Sequence, residues 1–109
     1  MPTSLPYRVN TQTGDVIDYA FTLHPQTGSA TDVARLLSSI LETLDREIRI
    51  GGNSGNGDVL QALAMALAVR ASMIHAPREL TARLASDLLR DALAAAAEAR
   101  HAGPSPGHA

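Results

Sequence analysis

The sequence predicts an α+β fold, mainly α: an N-terminal β-hairpin followed by a three-helix antiparallel bundle that homodimerisation completes. Three observations carry this reading. Residues 58–76, DVLQALAMALAVRASMIHA, are apolar on nearly every side, as in a helix covered by several neighbours. Residues 30–50 place their apolar side chains at helical spacing on one face, and residues 7–23 alternate with a period of two around a glycine-bearing turn.

The elements follow in order. Residues 1–6 contain Pro2 and Pro6 and are expected to be a flexible lead-in. In the hairpin, 7–23, Tyr7 to Asn10 and Val16 to Leu23 form strands joined by TQTGD, where Gly14 can take the positive φ of a tight turn or bulge. Ile17, Tyr19, Phe21 and Leu23 point one way, and Asp18, Ala20 and Thr22 the other. Every aromatic residue lies in this hairpin, which gives it one sticky face. A lone hairpin is marginal in water, so that face must lie on the helices or the hairpin edge must pair with another chain.

Helix 30–50 starts at an N-cap supplied by Ser29 or Thr31, with Asp32 in its first turn. Val33, Leu36, Leu37, Ile40, Leu41, Leu44 and Ile48 share its apolar face, while Glu42 with Arg46 and Asp45 with Arg49 are i,i+4 partners outside. GGNSGNG, 51–57, reads as a flexible connector, and Asp58 as the N-cap of helix 58–76. On that helix Leu60, Leu63, Leu67 and Ile74 fill one arc, and Val59, Ala62, Ala66, Val69 and Met73 a second. Pro77 suits the first position of helix 77–101, whose leucines 80, 84, 88, 89 and 93 flank a floor of alanines. The Gly/Pro-rich residues 102–109 are expected to be a disordered tail, leaving 7–101 as a single domain.

One amphipathic helix and one small hairpin cannot cover both a helix apolar all round and a third with so wide an arc. A twofold dimer is the commonest solution. Its interface is expected on the second and third helices, at Val69, Met73, Leu84, Leu88, Leu89 and Leu93, with the hairpin able to add strands across it.

Composition excludes several classes. A chain of 109 residues is long enough for one domain and too short for two. It has no cysteine, hence neither disulfide nor thiolate nucleophile. The first residues carry no secretory pattern, which makes a cytoplasmic location the default. The apolar helix falls short of a bilayer span, contains much alanine and carries Arg70, so no membrane role is expected. The formal net charge is −2 and the basic residues, all arginine, are scattered, which argues against nucleic acid. A DNA-reading strand would need basic side chains, yet Val16 to Leu23 carries Asp18 and no arginine.

The candidate chemistry is thin. Arg70 projects into the apolar arc, so it needs an acidic partner such as Glu47, or Asp87 or Asp91, unless it lays its stem on apolar surface and reaches solvent. The four histidines have no metal-ligand spacing and no serine sits in a nucleophile elbow, so no metal, cofactor or catalytic residue is expected. The resulting expectation is a non-enzymatic regulatory or adaptor protein, a homodimer that binds another protein. One alternative is a small-ligand or nucleotide-binding protein using the Gly-rich loop, Asp58, Arg49 and Arg70 at a helix end or dimer seam. The loop has no P-loop Gly-Lys and follows a helix, so neither phosphate-binding fingerprint fits. A second alternative is a DNA-associated regulator, which would bind duplex DNA with steep salt dependence.

Overall fold

The computed structural model describes residues 4–52 and 54–104. The element order is β1 (Ser4–Asn10), β2 (Asp15–Thr22), α1 (Ala30–Gly51), α2 (Asn56–Ser72), α3 (Arg78–Ala97) and β3 (Arg100–Pro104). The expected α+β, mainly helical composition is what the chain shows. Contacts divide it into two units: one from the described residues of Met1–Ala34 and Leu88–Ala109, which contains the sheet, and a helical one, Arg35–Asp87. The sequence reading had 7–101 as one domain.

The sheet unit is antiparallel with order β1-β2-β3. β1 pairs with β2 so that Leu5 faces Phe21, Tyr7 faces Tyr19, Arg8 faces Asp18 and Val9 faces Ile17. The turn is held from within. Gly14 donates its amide to the Thr11 carbonyl at 3.1 Å and has φ 89°, a value that L side chains rarely adopt. The Asp15 amide donates to the Thr11 hydroxyl at 3.0 Å. Leu5, Tyr7, Val9, Ile17, Tyr19 and Phe21 are half-buried, as expected for the apolar face. Tyr19 and Phe21 stack with centroids 5.2 Å apart, and Tyr7 lies tilted against Phe21 at 6.4 Å.

Two sequence expectations about the ends are corrected. Ser4 to Pro6 belong to β1 and not to a loose lead-in, because an edge strand tolerates the missing N–H of Pro6; residues 1–3 lie outside the described residues. The third helix stops at Ala97 instead of running to 101. Its last turn tightens through Glu98 N–H to Ala95 and Ala99 N–H to Ala96, both at 3.2 Å. Arg100 then lies opposite Asp18 and His101 opposite Ile17, with a bulge between Val16 and Ile17. Residues 102–104, expected in a disordered tail, are therefore strand, and 105–109 lie outside the described residues. No local signal favours a strand in RHAGP; the open edge of β2 supplies the hydrogen-bond partners that fix it.

Between two expected N-caps for α1 the structure selects Ser29, whose hydroxyl accepts the Asp32 amide at 3.1 Å. α1 ends where Gly52, φ 79°, donates its amide to the Ile48 carbonyl at 2.9 Å. α2 is displaced from the expected 58–76. It begins at Asn56 behind Gly55, an extended N-cap with no side-chain hydrogen bond, so Asp58 sits in the first turn and does not cap. It ends at Ser72, whose hydroxyl donates back to the Val69 carbonyl at 2.7 Å. Pro77 disfavours helical backbone in the residue before it, which suits the turn at 73–76. Pro77 is also the cap of α3 and not its first helical residue, accepting the Leu80 and Thr81 amides at 3.0 and 3.2 Å.

Candidate interaction surface

Among the described residues no hydrophobic side chain is buried; the one buried residue is Thr81, at 8% exposure, with its hydroxyl donated to the Arg78 carbonyl. Each helix shows how its apolar positions are left over. On α1, Leu37, Leu41, Leu44 and Ile48 are half-buried, while Val33, Leu36 and Ile40 form an exposed edge. The stripe read from the sequence is thus covered only in part among the described residues.

α2 is uncovered on opposite flanks. Its half-buried residues include Val59 and Leu63, one turn apart. Leu60 (67% exposed) and Leu67 share one flank, and at 100° per residue Met65 and Val69 (58%) lie about opposite. On α3 the less exposed positions are Thr81, Ala85, Asp87, Ala92 and Ala95, and the large side chains Leu80, Leu84, Leu88, Leu89 and Leu93 (63%) are exposed beside them. All six residues expected at an interface, Val69, Met73, Leu84, Leu88, Leu89 and Leu93, are exposed in the chain.

Within the helical unit an open groove of about 400 Å³ runs between α1 and α2. Ile40, Leu44 and Leu63 form its walls, and Ser39, Thr43, Ala62 and Ala66 its small-residue lining. Sequence reasoning missed this groove, although the alanines at 62 and 66 flag the face of α2 where a neighbour can come close.

The residues expected to bind a ligand, Glu47, Arg49, Asp58 and Arg70, are all exposed. Arg70, in the last turn of α2, is exposed and sends its guanidinium to the Met73 sulfur at 3.5 Å. Glu47 and Arg49 are exposed on α1, and the structure does not bring Glu47 to Arg70 as an ion pair. Asp58 lies at the opposite end of α2 from Arg70, twelve residues and roughly 18 Å along one helix axis. Among the described residues no cluster could hold a metal ion, and no helix is long and apolar enough to cross a membrane.

The polar sheet face carries the best-defined electrostatics. Arg8 makes a two-pronged ion pair with Asp18 across β1 and β2, Nε to Oδ1 at 2.7 Å and Nη2 to Oδ2 at 3.0 Å. Arg100 lies opposite Asp18 on the other side, so two guanidinium groups flank one carboxylate along a row of three strands. Hydrogen bonding from Arg8 holds the Asp18 carboxyl below its ordinary value of 3.8; partial desolvation opposes this, and the charges of Arg8 and Arg100 reinforce it. The same pair raises Arg8 above its ordinary value, chiefly through that hydrogen bond. The polar character of this face was legible in the alternation of the hairpin, but the row needed β3. Comparison with known proteins returns no match: no family model, no curated protein and no solved structure resembles this chain.

Proposed function

We propose that this chain is a non-enzymatic regulatory or adaptor protein that works through protein–protein interaction as a homodimer, its helices forming a shared bundle. One observation carries the reading: fifteen large hydrophobic side chains are exposed and, among the described residues, none is buried. Exposed apolar surface on this scale marks an interface, because burial of such side chains is the dominant favourable term in folding and association. With the helices engaged, the surface left for another protein is the sheet, whose Arg8, Asp18 and Arg100 form an ordered polar row. Its edges are poor templates for a further strand. β1 carries Pro6 and Arg8, and β3 is short and ends in Gly103 and Pro104.

The test is light scattering of the purified protein across a hundredfold dilution. The expected mass is twice 11.4 kDa throughout the micromolar range. A mass of 11.4 kDa at every concentration would overturn the homodimer and leave the apolar surface to a different protein.

A further inference from the structure

We propose that the helical unit Arg35–Asp87, together with Leu88 that follows it on α3, is the dimerisation element, and that the groove between α1 and α2 receives the Leu80–Leu84–Leu88 ridge of α3 from a second copy. This rests on the homodimer reading above and specifies which surfaces meet.

Three observations select a second copy as the occupant. The first is area. Eleven of the fifteen exposed large hydrophobics, from Leu36 to Leu84, lie in this unit. Their exposed fractions amount to roughly 1100 Å² per chain, so complete burial in two copies would cover about 2200 Å², within the range of obligate homodimers. The second is distribution. Apolar side chains on opposite flanks of α2 need cover on both flanks, which one flat foreign surface cannot give and an interdigitated pair of helical units can. The third is charge. The unit carries six arginines (35, 46, 49, 70, 78, 83) and six acids (42, 45, 47, 58, 79, 87), a formal charge of zero, so two copies meet without net repulsion.

The groove and the ridge match in shape. Leu80, Leu84 and Leu88 are spaced four residues apart, the row by which one helix projects a ridge into another's groove, and all three are exposed. Ser39, Thr43, Ala62 and Ala66 are short enough to admit leucine side chains, with Ile40, Leu44 and Leu63 as apolar walls. The other i,i+4 pairs of exposed large hydrophobics in the unit, Leu36 with Ile40, Met65 with Val69 and Val69 with Met73, lie on α1, on α2 or at the end of α2, the helices that themselves build the groove.

The absence of native cysteine allows a direct test. Thr43→Cys chains are mixed with differently tagged chains carrying Leu80→Cys, Leu84→Cys or Leu88→Cys, each with one thiol, and are oxidised after exchange. A disulfide requires Cα atoms within about 7 Å, so only chains docked ridge into groove are joined. The expected result is a mixed, tagged cross-link for at least one of the three pairs, formed without loss of the dimer mass. A wild-type monomer by light scattering overturns the homodimer reading itself. A wild-type dimer in which none of the three pairs cross-links overturns the groove assignment and leaves the dimer standing. Ala66→Leu gives an independent readout. Filling the groove should weaken dimerisation at least tenfold, whereas unchanged or tighter dimerisation would mean that no partner side chain enters it.

Discussion

Asp18 shows what one residue contributes when the register places it between two arginines. Its carboxylate accepts both prongs of Arg8, and Arg100 lies opposite on β3. Because the folded pKa is depressed, the pair contributes stability that is present above the unfolded value of 3.8 and is lost as pH falls through the lower folded value. Carboxyl chemical shifts against pH should therefore give Asp18 a midpoint below 3.8, and Arg8→Ala should move it back up towards that value. An unchanged midpoint in the variant would mean that the ion pair does not persist in solution. Arg70 shows the contrary case, since its place in an apolar arc suggested a buried ion pair. It lies near the helix end, where a long stem can rest on its own turn, and its guanidinium meets the Met73 sulfur.

At the level of elements, α1 could be read almost residue for residue. Local rules govern it: a serine cap, an amphipathic repeat and a glycine in the left-handed region at its end. α2 drifted from its expected bounds because the sequence around it offers competing stop signals, and the structure resolves them through Gly55 at one end and Pro77 beyond the other. β3 was the largest miss. Alanine-rich sequence up to Ala99 has high helix propensity, and the strand exists because β2 leaves an edge open. A chain ended after Ala99 should keep the β1–β2 ladder and lose protection along Asp15 to Asp18 on the side facing β3. Amide hydrogen exchange there should accelerate by about tenfold or more. Unchanged exchange would show that β3 does not pair in solution.

For the whole molecule the decisive quantity is apolar surface that the described chain leaves in water. Side chains such as Leu60 and Leu93, about two-thirds exposed, give folding little of the stabilisation that full burial of a leucine supplies, about 1.5 to 3 kcal/mol. If a second copy supplies that cover, stability is tied to mass action, and a tenfold rise in protein concentration adds about 1.4 kcal/mol per association step. The melting temperature should then climb by several degrees per tenfold increase in concentration, as read by circular dichroism at 222 nm or so. A melting temperature independent of concentration would place the whole stability of the fold inside one chain.

By itself the sequence determined those features that depend on neighbours within a few residues. The hairpin with its aromatic face follows from alternation and a turn glycine, the three helices from periodicity, and the surplus of apolar surface from counting faces. Tertiary structure alone decided whatever requires partners distant in the chain. It pairs Arg100 with Asp18, turns the end of the third helical pattern into a strand, sets Ile40 and Leu44 beside Ala62 and Ala66, and leaves Ala85, Ala92 and Ala95 of α3 less exposed than its leucines. Periodicity gives the direction in which a side chain projects along its own element. Which surface waits there depends on long-range packing, whose entropy cost and reward no local window contains.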